Sequence, residues 1–331
     1  MIPASLSIDL DNAWAYRRAA GDGHWESTPS CLPLAIDRMI DVLRSLDLPI
    51  TVFLVGRDLQ CESDAAAIAR LDELPSWEPA NHSMNHLPWL HTMSPEQIER
   101  EVEQTESLIV SRLGRRPVGF RGPGFSCPAE VLRILARRGY RYDASVFPTS
   151  LAPVARMVFL MRSNLRGAER AKAKRLYGGF GNMRLPNRPH RRRVDRVAPG
   201  SAEIVEIPVT TMPFVRTPIH LSYVTFLAGY SSSLAKTYVR SAFAACDRFG
   251  VPPSLLLHPP DFLGRGDCDA IRDFPGMTIS TDAKLSLTHW ILQQYAARFD
   301  VRLMKDVADQ VLASDRSLTT SSPALVHQAV R

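Results

Sequence analysis

His82 and His86, in the run Asn81-His82-Ser83-Met84-Asn85-His86, stand four residues apart, a spacing that aims two imidazoles at one point if the backbone makes a helical turn. The pair alone also fits a solvated helix face. Two further apolar runs end in chemistry-bearing side chains: one closes on Asp9-Leu10-Asp11, the other, near residue 255, on His258. Carboxylate and imidazole delivered from separate strand ends make up the donor set of an open hydrolytic metal site. Such a site suits metal-assisted hydrolysis, in which an aspartate can take a proton from water and a histidine with an ordinary pKa of about 6.5 can give one to the leaving group.

These residues need strands that stop at one place. Leu6-Ser7-Ile8 reads as a strand running into Asp9, residues 34–46 as a helix, and Ile50 to Val55 as a buried strand, so the first unit is strand, helix, parallel strand. After the histidines, Ser94-Pro95-Glu96-Gln97 places a capping serine, a first-turn proline and a capping-box glutamine before a helix closed by Gly114. Strands follow at 118–121 and 140–142, then at 203–209, 254–257 and 301–304, with helices at 128–138, 234–249 and 283–299. Seven or so such units without a glycine-rich phosphate loop point to an α/β fold, a closed or nearly closed barrel with its chemistry at the carboxyl ends of the strands. Asp9 and Asp11 flank one residue and share a side if the strand stays extended.

Composition narrows the class. A chain of 331 residues with 45% hydrophobic content can bury a sizeable core, and no run approaches 18 apolar residues. The N-terminus enters the first strand without a basic and then apolar leader, so a cytoplasmic location is expected. Cys31, Cys61, Cys127, Cys246 and Cys268 are odd in number and far apart, which reads as reduced thiols. Of the net charge of +6, residues 156–196 carry 13 Lys or Arg against Glu169 and Asp195, leaving about −5 for the rest. The basicity belongs to one segment, and no nucleic-acid partner is expected.

Five ordered stretches, Ser7-Ile8-Asp9-Leu10-Asp11, His82 to His86, Arg121-Gly122-Pro123-Gly124, Tyr142-Asp143-Ala144-Ser145 and Leu256-Leu257-His258, together resemble the motifs of the polysaccharide deacetylases, the NodB-homology enzymes of carbohydrate esterase family 4. The resemblance covers roughly residues 4 to 312. It implies a distorted (β/α)7-8 barrel in a single domain spanning 1–312, with the basic stretch at about 152–200 as an insertion; the Ser/Thr-rich composition of 313–331 reads as a flexible tail. The resemblance also implies a metal-dependent hydrolase that removes an N-acyl group, acetyl or formyl, from an amino sugar. Asp9 then resembles the general base, and Asp11, His82 and His86 resemble the ligands of one divalent ion. Zinc suits that set, and iron, cobalt or nickel fits it too. Arg121 resembles the arginine that orients the base, Asp143 the carboxylate supporting it, His258 the general acid, and Leu256 the wall of the acyl pocket. Gly122 and Gly124 let the backbone around Pro123 approach the substrate.

The chain departs from the family pattern in splitting the aspartates. The spaced pair resembles the branch that deformylates a lipid-linked amino sugar, and it leaves open which aspartate binds metal. Phe125 also stands where a tyrosine is common. Trp14, Tyr16 and Trp25 can stack on a pyranose ring or simply pack their loop. Asp261 can cap a turn or orient His258. His24, His91, His220 and His289 read as surface or core histidines. The apolar run Val154 to Met161 with basic flanks suits a membrane interface as well as a barrel-packed helix, so a glycolipid substrate on an anionic inner-membrane surface is expected. A small-molecule amidase or deformylase with the same machinery, or a non-catalytic carbohydrate-binding barrel, are the competing readings.

Overall fold

The computed structural model describes residues 1–173, 184–194 and 203–314; the middle of the basic insertion and nearly all of the expected tail lie outside these. In chain order the strands are β1 (Ile2–Asp9), β2 (Ile50–Leu54), β3 (Trp77–Asn81), β4 (Gly119–Phe120), β5 (Tyr142–Asp143), β6 (His190–Arg193), β7 (Glu203–Glu206), β8 (Ser254–Leu257) and β9 (Phe299–Arg302). The α-helices among the described residues are α1 (Ala13–Ala19), α2 (Leu32–Ser45), α3 (Gly56–Gln60), α4 (Glu62–Ala69), α5 (Pro95–Leu113) and α6 (Ala129–Arg137), followed by α7 (Ala152–Arg162) and α8 (Gly167–Ala173) in the insertion. The series ends with α9 (Leu221–Ala228), α10 (Ser232–Arg248), α11 (Thr281–Ala296) and α12 (Met304–Ser314).

One sheet runs in the order β6-β7-β5-β4-β3-β2-β1-β8, with β9 also paired to β1. Its pairings are parallel except for β6, which is antiparallel to β7. The sheet curls until its two ends meet. Thr210, beyond β7, donates its backbone N–H to Ser254 O at 3.2 Å, and Ser254 N donates to the Thr210 hydroxyl at 2.5 Å. The result is a distorted (β/α) barrel joined across one side by these two bonds.

Burial explains the elements. In α2 the positions Leu32, Ile36, Met39, Ile40 and Leu43 recur every three or four residues and all sit in the main core against Leu6, Ile8, Ile50 and Val52. Helix α5 starts as its sequence indicates, with Ser94 and Gln97 forming a capping box, and ends at Gly114, whose φ of 65° is left-handed. The last strand is displaced from expectation: it covers Phe299–Arg302, and Met304, expected in it, opens α12. That helix runs to Ser314, so residues 313 and 314 belong to it and not to a tail.

Two corrections concern chemistry. The His82–His86 stretch is a loop, not a helical turn, with Ser83 at φ 63° and His86 at φ 48°. And the cysteines are not all reduced: Cys31, just before α2, forms a disulfide with Cys268 in the loop after β8, across 237 residues of sequence, while Cys61, Cys127 and Cys246 are free. Parity and local spacing carry no trace of a pairing that only the curl of the sheet creates.

Candidate metal and acid–base site

Asp9, Asp11, His82, His86, Arg121 and His258 converge at the carboxyl ends of β1, β3, β4 and β8. Strand β1 stops at Asp9. Leu10 N then donates to Phe53 O and Asp11 N back to Asp9 O at 2.8 Å, so a tight turn, not a continued strand, sets the two aspartates side by side while Leu10 enters the core. His82 is fixed as β3 ends, its backbone N–H bonded to Leu54 O at 2.9 Å. The two left-handed residues that follow are costly for non-glycine side chains and are held by neighbours. Asn81 accepts from Ser83 N and donates to Val102 O and the Tyr140 hydroxyl, while Glu101 takes both the backbone and side-chain N–H of Asn85.

Asp11 Oδ1 lies 3.1 Å from His86 Nε2 and 3.3 Å from His82 Nε2, and one ligand atom from each of the three residues falls within 4.8 Å of the others. That oxygen is buried yet makes no hydrogen bond of acceptable geometry. His82 Nδ1 meets Arg121 O at 2.7 Å, which places the ring proton there and leaves the Nε2 lone pair facing Asp11. Burial alone would raise the Asp11 carboxyl, but His86 and His82 overcome it and hold that group well below its usual value. Burial would likewise lower His82, and Asp9 and Asp11 reverse this. An unpartnered carboxylate oxygen, converging imidazole lone pairs and a field that favours positive charge fit a divalent cation.

Arg121 is fully buried. Its Nη1 donates to Asp9 Oδ1 at 2.5 Å, its Nε to Ala144 O at 2.9 Å, and both terminal nitrogens reach Ser7 Oγ at 3.2 Å, with Phe53 beneath the guanidinium. The other Asp9 oxygen, Oδ2, stands 3.9 Å from His82 Nε2 and 3.9 Å from His258 Nε2. Asp9 thus sits between the donor cluster and the acid candidate. His258 in turn is oriented from behind: Ser222 Oγ lies 3.1 Å from His258 Nδ1 and 3.4 Å from Asp261 Oδ2, which also accepts the His258 backbone N–H at 2.8 Å. Burial pushes Asp261 up to about 6, against the pull of His258. His220, expected to be an inert histidine, caps α9 within 6.3 Å of the His258 ring; burial and His258 push it down to about 3, so it stays neutral. Leu256 is buried with Phe147 and Val209, and Phe125 packs against them as an apolar wall.

Two expected site residues do not reach this centre. Asp143 accepts from Ser145 Oγ at 2.5 Å, and Ser145 in turn accepts from Gly122 N, so it braces the loop at Pro123 through an intermediate. Beside it lie Glu206, whose carboxyl is raised first by burial and then by Asp143, and Arg192, 3.1 Å from Glu206. Trp14 is buried with its indole N–H bonded to Asp58 at 2.7 Å, which makes it loop packing; the half-buried Trp25 leans on it at 5.5 Å. Pro123 is buried and opens a short turn with Gly124 at φ 58° and Phe125 at φ 61°. Ser222 and His220 carry no distinguishing sequence signal beyond their place before an apolar helix.

In comparison with known proteins, the family described as "Polysaccharide deacetylase" matches residues 25–142. No curated protein matches the sequence. Among solved structures, a Mycobacterium smegmatis protein assigned to the polysaccharide deacetylases superposes with a TM-score of 0.58 at 15% identity, covering 99% of this chain and 96% of its own. A Pseudomonas aeruginosa PAO1 protein with the same assignment gives 0.56 at 13% identity over 93% and 90% of the two chains. Puue allantoinase gives 0.57 at 14% identity over 95% and 91%. At these identities the likeness is one of fold.

Proposed function

We propose that this chain, whose residues 25–142 match the polysaccharide deacetylase family, is an enzyme of that kind and hydrolyses the N-acyl group, acetyl or formyl, of an amino sugar carried on a lipid or glycolipid. The observation that supports this most is the position of Asp9, whose Oδ2 lies 3.9 Å from a nitrogen of the donor cluster and 3.9 Å from a nitrogen of the acid candidate.

Asp11, His82 and His86 are the residues that would hold one divalent ion, zinc by donor chemistry, which when bound would polarise the acyl carbonyl and make water more acidic. Asp9, aimed by the Arg121 guanidinium, takes the proton from the attacking water. His258 gives its proton from Nε2 to the departing amine, while Ser222 and Asp261 fix its Nδ1 side. Leu256 and its apolar neighbours exclude water around the acyl methyl group. Asp143 acts at one remove, by keeping the loop at Gly122 in place.

An assay of the purified protein with added zinc, cobalt or nickel on N-acetyl and N-formyl amino-sugar glycolipids, beside water-soluble chito-oligosaccharides, tests this reading. Release of acetate or formate, fastest from the glycolipid, is expected. Equal turnover of the soluble sugars would remove the lipid-linked part, and release from neither, or only from small non-sugar amides, would remove the amino-sugar reading.

A further inference from the structure

Helix α7 turns an apolar stripe outward. Val154, Met157, Val158 and Met161 fall at positions i, i+3, i+4 and i+7 of one helical face, and all are exposed, Met161 by 76%. The opposite side is accounted for, since Phe159 and Leu160 pack against Leu165 and Ala173 of the following segment. A hairpin tip beside it does the same. Phe214, 77% exposed, and Val215 project from a turn locked by Met212 and Thr217, with Phe214 and Arg216 both left-handed at φ 66° and 58°. The backbone there is strained, and the Phe214 ring meets Phe249 edge-on at 4.7 Å, so the tip adds a pair of exposed aromatics and a valine to the apolar surface. The two features are joined: Ser150, just before α7, donates its N–H to Arg216 O and its hydroxyl to Val215 O, each at 2.9 Å.

A patch of exposed large apolar side chains drawn from two separate segments marks an interaction surface. Its surroundings name the partner. Arg166, Arg170 and Lys172 lie exposed on or next to α8, immediately after α7, and Arg156 lies within α7 itself. Apolar residues that can sink into an acyl boundary, bordered by arginine and lysine, complement an anionic bilayer leaflet. The patch also adjoins the site's approach. Phe147, in the wall beside Leu256, precedes α7 by a few residues, and the hairpin leads directly to His220 and Ser222. We propose that α7 and the Phe214–Val215 tip form a peripheral docking surface for an anionic phospholipid bilayer, holding the mouth of the site against the membrane. The surface stands on its own observations and not on the hydrolase reading.

Flotation of the full chain on vesicles of phosphatidylglycerol mixed with phosphatidylcholine, against phosphatidylcholine alone, tests it without any measurement of activity. The wild type should float with the anionic vesicles at low salt and be released by high salt. The pair Met157→Glu, Met161→Glu, and separately Phe214→Asn, which keeps the left-handed backbone, should each weaken that binding by about tenfold or more with circular dichroism unchanged. A chain that stays unbound, or variants that float as the wild type does, would overturn the proposal. So would a concentration-dependent dimer in light scattering that the same substitutions dissociate, which would assign the surface to a second copy of this chain.

Discussion

The guanidinium of Arg121, wholly out of solvent, donates to Asp9 at 2.5 Å at the carboxyl end of the first strand. A buried pair of this kind is a weak source of net stability, because desolvation offsets most of its attraction, yet breaking it is expensive. Its consequence here is geometric: one Asp9 oxygen is held by Arg121 while Oδ2 faces His82 and His258.

Asp9→Asn should therefore show two effects at once. The catalytic rate should fall by roughly 10²- to 10⁴-fold, and unfolding should cost about 3–5 kcal/mol less because Arg121 is left buried without its anion. Steady-state kinetics and denaturant titration check both. Unchanged stability would mean that water or another acceptor serves Arg121.

Asp261 is pushed up to about 6 and reaches His258 both directly through the backbone and through Ser222. Activity should rise as pH climbs through about 6, where this carboxyl ionises and comes to support the imidazolium. Asp261→Asn should flatten that limb of the pH–rate profile and lower kcat by roughly tenfold, with Ser222→Ala giving a smaller loss. A limb left in place in Asp261→Asn would assign it to another group.

Asp58 bonds the Trp14 and Asn12 side chains behind Asp11, and burial pushes it up to about 7 from 3.8. A carboxyl raised in the folded state binds its proton more tightly there than in the unfolded chain. Its contribution is thus fully present below about pH 4 and is lost as pH rises toward 7, with a slope of at most about 1.4 kcal/mol per pH unit. Compared with the wild type, Asp58→Asn should gain stability progressively between about pH 4 and about pH 7, and no further above that. Parallel curves for the two proteins would rule out an appreciable shift.

Thiol titration of the unfolded, unreduced protein should find Cys61, Cys127 and Cys246 and miss Cys31 and Cys268. Reduction should release the remaining two thiols and lower stability by about 2–5 kcal/mol. A disulfide that persists in cell extracts prepared with thiol trapping fits an oxidising compartment better than the reducing cytoplasm expected from the sequence.

The candidate site was legible in the sequence because Asp9, Asp11, His82, His86, Arg121 and His258 each close a readable strand or sit in a short ordered motif. The sequence could not show how the loops carry them. The left-handed backbone of Ser83 and His86 depends on Asn81 and Glu101 reaching in from other elements, and the turn at Leu10 depends on Phe53. Ser222 lies behind His258 only because α9 returns across β8, and a serine before an apolar helix otherwise reads as a cap. The run Arg191-Arg192-Arg193, read as part of a basic surface, is an edge strand whose arginines pair with Glu203 and Glu206 on β7, so its charge is partly neutralised inside the fold.

The central claim, that Asp11, His82 and His86 form one cation site with Asp9 beside it, is tested most directly by metal content after zinc loading and gel filtration. The account predicts one ion per chain in the wild type and in Asp9→Asn, and less than about a tenth of that in His86→Ala. Stoichiometric metal in His86→Ala, or loss of metal in Asp9→Asn with retention in Asp11→Asn, would contradict it.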